Sequence, residues 1–596
     1  MNVLENVMNR YLITTADERS WIFDGPVIFL GQWCQDYDRR FVWSSMDFEL
    51  AKPFGLKPNQ KEHSLVTFEN LSNQLLKELS NGLNAFHCTD HSVRYWQIVL
   101  GHWLRRYVKL IFNRYYTLEQ TLNNYSISGT TILDVGSYSL ATADSTRFMR
   151  ACDNDVWNHV LSSRILMYLS NENNKIESKS FQHKSIVIED RYFDIVTSPE
   201  DKKLIFNLRN KLLPMFSRNN DAFIISSYLP RREKIKLELM LGQCPQIWRS
   251  PPLNTVLPDY GQRQRFSLDV TNYQGFDRFV RLQLADVIPS CYLEGYKLML
   301  EQVKSLPWPA KPRFIYTSNN YDTDEIFKAW TGLKVEHGTR YYVGQHGNNG
   351  TWPSFENQPE VVTSDKYITW GWSNIDPKIV PAFIFKMAGV KIRSSLKVGG
   401  ILLIETNLGG RNALWDNYSE FSNYQNQQFR FVESLPKAIQ NTLTVRLHAA
   451  YKKYHWGEEE RWQERCPDVR IESGRVPIQK LIDQNMLTIY SYDSTGILES
   501  LALNIPIMCF WHKGMDDFLP SAKPYYKLLR NAGILHDSPE QAAAMVTRHC
   551  RNVGEWWESP KVQTAREQFC AQYARIEKKP VRTLKHLLTL HESNQI

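Results

Sequence analysis

Short apolar runs alternate with helical patterns along most of the chain. In the first half, residues 26–31, 222–226 and 313–317 have the length and composition of buried strands. An amphipathic helix is predicted over residues 64–80, where leucine and phenylalanine recur at intervals of three and four. Strands that are each followed by a helical pattern are typical of a parallel sheet covered by helices.

The alternation is clearer in the second half of the chain. The predicted strands there are 401–406, 443–447, 469–472, 486–490 and 505–510. We therefore expect an α/β protein of GT-B-like plan, in which two doubly wound, Rossmann-like domains face each other across a cleft. Epimerases and phosphorylases share this plan, so the fold alone does not establish the function.

The predicted domain boundary lies in the link near residues 387–396. Residues 1–390 are expected to form an N-terminal, acceptor-side domain with helical insertions. Residues 391–596 are expected to form a C-terminal domain that binds a nucleotide-sugar. The last helices, about 560–592, are expected to cross back and brace the first domain.

The bulk properties exclude several classes of protein. The net charge of +8 suits anionic substrates or an anionic membrane surface and is too small to indicate nucleic acid. No run of eighteen apolar residues occurs and the first thirty residues lack a signal-peptide pattern, so we expect a cytoplasmic protein. The nine cysteines are scattered without a C-x-x-C pair, which favours reduced thiols.

Basic and aromatic side chains interleave at helical spacing over residues 103–116. One interpretation is a core helix with an exposed basic side. The other is a peripheral contact with the inner membrane.

The segment 489–511 contains a buried strand, a turn, a short helix and a second buried strand. The turn Asp493-Ser494-Thr495-Gly496 places hydroxyls and free backbone N–H groups at a helix start, where the helix dipole favours an anion. Glu499 lies about one turn further on, within reach of a ribose. The alternative is an ordinary β-α-β unit capped by Asp493 or Ser494.

A second candidate is His346, which lies between glycine residues in the segment 343–350. Glycine allows close backbone approach to a ligand, and a histidine there can donate to phosphate or act as acid or base. The alternative is a turn histidine with a structural hydrogen bond.

Two further strand ends carry polar pairs. Arg446 and His448 share one face of a strand by the period of two, and would suit a phosphodiester if that face meets the cleft. Glu472 and Ser473 end another strand and are candidates for contacts with the base and ribose, with helix capping before Pro477 as the alternative.

Carboxylates for acid–base or nucleophilic chemistry are less distinctive. Asp36 and Asp322 follow strand ends and are our candidates, although most acidic residues in such positions are surface charges or caps. Zinc, P-loop and G-x-G-x-x-G motifs are absent, so we expect no metal and no cofactor beyond the donor substrate.

Several of these segments together resemble the bacterial LIC12162-type transferase family. The similar segments span nearly the whole chain: 12–21, 29–34, 345–347, 368–372 and 492–499. Such proteins occur with genes for sialic-acid-like nonulosonic acids and surface polysaccharides. The resemblance implies a retaining GT-B enzyme that uses a CMP-activated sugar such as pseudaminic acid. The expected acceptor is a surface glycan, and a lipid-linked glycan is one of the candidates.

The same resemblance suggests roles for individual residues. Arg446-Leu447-His448 looks like the His-Pro motif by which sialyl- and Kdo-transferases hold CMP, although Ala449 replaces the proline. Ser494 and Thr495 resemble the Ser/Thr motif that grips the donor phosphate. The competing functions are a CDP-polyol phosphotransferase and a polysaccharide-binding module without activity.

Overall fold

The computed structural model describes most of the chain. The described residues are 9–133, 140–173, 178–181, 217–353, 355–390, 399–407, 413–416, 418–511, 514–515 and 518–590. They form three parallel sheets with helices packed around them.

The first sheet has the strand order β3-β2-β1-β4-β5. Its strands are β1 (Arg10–Ile13), β2 (Val27–Phe29), β3 (Phe48–Leu50), β4 (Ile127–Leu133) and β5 (Ser178–Phe181). The chain starts in the middle, proceeds to one edge and then crosses to the other side. This doubly wound order is the Rossmann-like one.

The second sheet has the order β10-β9-β8-β7-β6, so that strands adjacent in sequence are adjacent in the sheet. Its strands are β6 (Phe223–Ile225), β7 (Phe314–Thr317), β8 (Arg340–Gly344), β9 (Lys366–Thr369) and β10 (Ile379–Pro381).

The third sheet has the order β13-β12-β11-β14-β15-β16 and is again doubly wound. Its strands are β11 (Gly400–Ile404), β12 (Leu443–Arg446), β13 (Arg470–Glu472), β14 (Asn485–Tyr490), β15 (Ile507–Phe510) and β16 (Leu535–His536). The strand order reverses between β11 and β14, and this switch point is where open α/β sheets bind ligands.

The helices of the first half cover the first two sheets. They are α1 (Arg40–Trp43), α2 (Pro58–His87), α3 (Val93–Asn124), α4 (Ser145–Ala151), α5 (Asp155–Asn173), α6 (Arg231–Met240), α7 (Tyr260–Arg265), α8 (Gly275–Val287), α9 (Tyr296–Lys304), α10 (Glu325–Glu336) and α11 (Pro359–Val362).

The remaining helices follow β11. They are α12 (Tyr418–Glu433), α13 (Lys437–Gln440), α14 (Glu458–Arg465), α15 (Ile478–Gln484), α16 (Thr495–Ala502), α17 (Lys523–Asn531), α18 (Pro539–His549), α19 (Val553–Trp557), α20 (Pro560–Tyr573) and α21 (Pro580–Thr589). None of the described helices combines the length and hydropathy needed to cross a membrane.

The α/β class and the GT-B-like plan are confirmed, with doubly wound first and third sheets. However, the first half contains two sheets where one was expected. The predicted strand at 26–31 is β2, and the first strand is β1. The sequence pattern missed β1 because it is only four residues long and starts with an arginine. It also missed β8, in which the alternation of apolar and polar residues is weak because Tyr341 and Tyr342 are buried beside Val343.

The interleaved basic and aromatic segment lies inside the long helix α3 and is buried. Arg105 forms two hydrogen bonds with the Glu69 carboxylate, at 2.7 and 2.6 Å, and Arg114 donates to Asn158 at 3.0 Å. Both arginines are buried, so the expectation of an exposed basic side is wrong. The same burial excludes these two residues as a membrane contact.

The last two helices lie on different halves, since α20 packs mainly on α16 and α17, whereas α21 packs on α6. Beyond α20, the Arg575 backbone N–H donates to the Trp370 carbonyl at 2.9 Å, and Lys366 Nζ donates to the Leu587 carbonyl of α21 at 2.6 Å. The boundary between residues 390 and 391 remains a prediction, since residues 391–398 of the predicted link lie outside the described residues.

Loops at the carboxyl ends of the first two sheets meet loops of the third sheet. From the second sheet, the Asn348 backbone N–H donates to Thr495 Oγ1 at 3.2 Å. From the first sheet, the Tyr37 backbone N–H donates to the His455 carbonyl at 2.9 Å. The ends of the strands, where parallel sheets bind ligands, therefore face each other.

Candidate functional site

The turn 493–496 lies at the switch point of the third sheet, directly after β14. Ser494 is the N-cap residue of α16, with extended backbone angles of φ −134° and ψ 158°. Its hydroxyl does not cap the helix, and this buried oxygen lacks a hydrogen bond partner among the described residues. A hydroxyl and free N–H groups at a helix N-terminus are suited to an anionic ligand.

The Asp493 side chain is held by two donors. Tyr526 OH donates to Asp493 Oδ1 at 2.9 Å, and Asn348 Nδ2 donates to the same oxygen at 2.8 Å. Burial raises the pKa of Asp493 to about 7, although these hydrogen bonds act in the opposite direction. Its second oxygen is buried without a partner among the described residues, which accounts for the cost of ionising it.

The loop 345–350 lies opposite this turn and is fixed by Gln345. The Gln345 side chain donates to the Gly347 carbonyl at 2.7 Å and accepts from the Trp370 backbone N–H at 2.8 Å. A Cβ atom on Gly347 would lie 2.8 Å from Thr495 Oγ1, so only glycine permits this close approach.

His346 projects from this loop and is accessible to solvent. Its Nδ1 lies 2.9 Å from the Tyr228 hydroxyl. Protein atoms around the ring lower the pKa of His346 by desolvation, a hydrogen bond with the Ser318 backbone acts in the opposite direction, and the positive charge of Lys386 lowers the pKa further. The ring is therefore neutral near pH 7; when Nδ1 accepts from Tyr228, Nε2 carries the hydrogen and can donate.

Glu499 forms an ion pair with Lys386, which follows the second sheet in the chain. Its Oε1 lies 3.0 Å from Lys386 Nζ, and the same ammonium lies 5.2 Å from the centre of the Tyr228 ring. The Lys386 ammonium thus links the α16 helix to the surroundings of His346. The contact of Glu499 with a ribose remains a prediction.

Arg446 ends β12 and lies beside Glu472, which ends the neighbouring strand β13. Arg446 Nε is 3.7 Å from Glu472 Oε2, and both side chains are largely buried. His448 lies beyond the strand end and is exposed. Burial lowers the pKa of His448, and the charge of Arg446 adds to this, so the two side chains lie close enough to interact.

The Glu472 carboxylate organises the loop that follows it. It accepts hydrogen bonds of 3.0 Å from the backbone N–H groups of Gly474, Arg475 and Val476. Ser473 is half-buried in the same loop. These bonds provide Glu472 with a structural role, and donor contacts by Glu472 and Ser473 remain predictions.

Asp322 follows β7 and is part of a cluster around α3. It forms an ion pair with Arg106, and His102 Nδ1 lies 3.7 Å from its Oδ1. Burial acts to raise the pKa of Asp322, but the charges of Arg106 and His102 outweigh it and hold the pKa below its usual value. The carboxylate is therefore ionised and paired, which is a poor starting point for a general base.

Asp36 lies on the loop after β2, between the first and third sheets. It is half-buried, and its backbone carbonyl accepts from Trp43 Nε1 at 2.8 Å. The neighbouring Tyr37 contacts α14, where its hydroxyl donates to Glu464 Oε2 at 2.5 Å. The loop of Asp36 contacts α14, whereas the loop of His346 contacts the turn 493–496. The two residues therefore lie at different places along the junction with the third sheet.

Sequence reasoning missed two buried acids at the end of the third sheet. Glu405 directly follows β11 at the switch point, and Glu458 begins α14; both are almost fully buried. Burial raises the pKa of Glu405 to about 8 and that of Glu458 to about 9. A glutamate directly after the apolar run 401–404 is the signal that could have identified Glu405.

Sequence reasoning also missed the residues that join the two halves. Asn348, Lys386 and Tyr526 all contact predicted site residues. Only Asn348 had a signal, because it follows the His-Gly pair. Among the described residues, no cluster of three or more His, Cys, Asp or Glu side chains could hold a metal ion.

Comparison with models of protein families identifies a transferase family. A family model described as LIC12162 family transferase matches residues 10–588. No curated protein matches the chain.

Three solved glycosyltransferase structures are distantly similar to the chain. SnogD from Streptomyces nogalater aligns at 12% identity and a TM-score of 0.33, over 62% of this chain and 99% of that chain. The spinosyn rhamnosyltransferase SpnG with spinosyn aglycone aligns at 12% identity and TM-score 0.30, over 49% and 77% of the two chains. WaaG, a glycosyltransferase involved in lipopolysaccharide biosynthesis, aligns at 12% identity and a TM-score of 0.26, over 50% of this chain and 95% of that chain. At these scores the alignments carry no argument about activity.

The raised pKa of Asp493 predicts a pH-dependent effect of Asp493→Asn. The folded protein binds this proton more tightly than the unfolded chain, so ionisation costs stability as pH rises from about 4 to about 7. Asparagine keeps an acceptor for Tyr526 and Asn348 without the charge. The melting temperature of the variant minus that of the wild type should therefore rise over this range and stay constant above it. A difference that is independent of pH would contradict the assignment.

Proposed function

Because the chain belongs to the LIC12162 family of transferases, we propose that it is a glycosyltransferase. The proposed reaction moves a nonulosonic acid, pseudaminic acid or a related sugar, from a CMP-activated donor to a surface glycan. We further propose that it retains the anomeric configuration and needs no metal. The proposed setting is the cytoplasm or the inner membrane surface, with lipid-linked glycans among the acceptors.

The observation that carries the proposal is the Ser494 hydroxyl at the switch point of the third sheet. This buried N-cap oxygen has no hydrogen bond partner among the described residues, at the N-terminus of α16. Burying a polar group without a hydrogen bond costs free energy, which a ligand oxygen would recover. Thr495 lies beside it, and the helix dipole adds a partial positive charge.

The side chains around this turn support an anionic donor. Arg446 and His448 are close enough to affect each other electrostatically, and Arg446 lies within range of Tyr492 in the strand end that leads to Ser494. In this proposal Arg446 and His448 neutralise the departing CMP, and His346 donates from Nε2 across the cleft. A 2-ulosonic donor already carries a carboxylate beside its anomeric carbon, so neutralising the leaving group is the main requirement.

The proposed reaction also needs a base that removes the proton from the acceptor hydroxyl. Of the two acids predicted for it, we favour Asp36 because of its position. Asp36 lies at the junction of the first and third sheets, where an acceptor can enter from the N-terminal half.

A direct transfer assay tests the proposal. We expect the purified chain to convert a glycan acceptor when given CMP-pseudaminic acid, with a mass increase of one nonulosonate and with full activity after EDTA treatment. Turnover of CDP-glycerol instead would assign the chain to the CDP-polyol phosphotransferases. Rescue by a divalent metal after EDTA would overturn the metal-free mechanism.

The phosphate site predicts the effect of the double change Ser494→Ala/Thr495→Ala. Losing hydrogen bonds to a charged phosphate costs about 1.5–3 kcal/mol each, so the loss of two such bonds should lower CMP affinity roughly 100-fold or more. Isothermal titration calorimetry measures this, and thermal unfolding should remain cooperative. The matched control is Ser538→Ala, which removes the N-cap bond to the Gln541 N–H of α18 and should leave CMP affinity unchanged. Equal CMP affinity in the double variant and wild type would contradict the site.

The cleft position of His346 predicts that His346→Ala affects turnover more than stability. Loss of a proton donor typically lowers the rate about 10²- to 10⁴-fold, whereas an exposed ring contributes little to the melting temperature. His337→Ala removes another exposed histidine, at the end of α10, and should leave turnover intact. A fall in melting temperature with little loss of turnover would instead indicate a structural turn histidine.

A further inference from the structure

A small cavity lies between the first and third sheets. The loop after β2 forms one side, and helices α12 and α14 together with Trp456 form the other. Its volume is about 200 Å³. Pockets for drug-sized ligands occupy roughly 300–1,000 Å³, so this cavity is too small for a nucleotide and suits a single sugar ring.

Aromatic side chains form much of the wall. Phe421 and Trp456 pack with their ring centres 3.6 Å apart, and Tyr37 and Trp43 lie on the opposite side. The Arg461 guanidinium is stacked over the Tyr37 ring at 4.0 Å from its centre. Aromatic rings offer the apolar C–H faces of a sugar a flat, rigid contact at low entropic cost.

Polar groups complete the lining. Ser422 Oγ donates to Gln32 Oε1 at 3.0 Å, across the junction of the two sheets. Gln35 Nε2 is buried and has no hydrogen bond partner among the described residues. Arg461 donates from Nε to the Trp456 carbonyl at 2.8 Å, which orients its remaining donors. Two amides, a hydroxyl and a guanidinium around aromatic rings form a donor-rich lining for the hydroxyl and carboxylate oxygens of a sugar.

The cavity adjoins the proposed donor site through one tyrosine. Tyr424 belongs to the same cluster as Phe421 and Trp456. Its hydroxyl is 2.8 Å from Ser491 Oγ, which follows β14, and it accepts from the Thr406 backbone N–H at 2.9 Å. The cavity is therefore next to the switch point, and Asp36 lies on the same loop as Gln35.

We propose that this cavity is the subsite for one sugar residue of the glycan acceptor. The ring stacks on the aromatic wall, Gln35 Nε2 donates to one of its hydroxyl oxygens, and Arg461 donates to a second oxygen. The role as acceptor subsite rests on the glycosyl transfer proposed above. Binding of a sugar at this place does not, since it can be measured without a donor.

Gln35→Leu tests the subsite with little risk to the fold, because Gln35 Nε2 makes no hydrogen bond that the change would break. Saturation-transfer NMR with methyl β-galactoside and methyl β-glucuronide detects binding in the absence of nucleotide. We expect signals from at least one glycoside in the wild type and weaker signals in Gln35→Leu. In the transfer assay the KM for acceptor should rise roughly 3- to 10-fold, as for one lost hydrogen bond, with CMP affinity unchanged.

Gln264→Leu is the matched control, since Gln264 is exposed on α7 in the first half of the chain. It should match the wild type in all three measurements. The absence of glycoside signals in the wild type, or equal signals in both variants, would overturn the subsite even if CMP binds and transfer occurs. Failure of CMP binding and transfer, with glycoside signals that depend on Gln35, would overturn the proposed function and leave the sugar subsite.

Discussion

The structure depends on the hydrogen bonds that join the loop 345–350 to the turn 493–496. Asn348 contacts both Asp493 and Thr495, and Gly347 permits the approach because it has no side chain. These bonds hold the carboxyl ends of the second and third sheets together. Since the binding edge of a parallel sheet is its carboxyl end, the same contact that connects the halves also forms the walls of the crevice.

The charge balance of that crevice differs from the one that the sequence suggests. Glu405 and Glu458 keep their protons near neutral pH, and Asp493 is only partly ionised, because burial raises all three pKa values. An anion that enters from solvent therefore meets less negative charge than the count of acidic residues implies. Burial of acids, which is costly in isolation, here makes the switch point more suitable for a phosphate.

Sequence reasoning predicted the third sheet well and the first half less well. Strands β11 and β15 are apolar runs covered on both faces, and the last four residues of β14 are buried as well, which gives a strong signal. In contrast β3 is short with a polar centre, and β4 contains threonine, serine and glycine. Contacts between residues far apart in the chain were harder still to predict. The Lys386–Glu499 pair joins positions 113 apart in the chain, and no local pattern encodes such a contact.

The return of α21 to the first half means that the chain passes between the two halves twice. Residues beyond β10 lead to the third sheet, and the segment after α20 leads back to the point where Lys366 Nζ donates to the Leu587 carbonyl. Two domains that are joined by one linker can hinge about that linker alone, whereas a second crossing removes part of this freedom. Any opening of the crevice must therefore be accommodated by both crossings together.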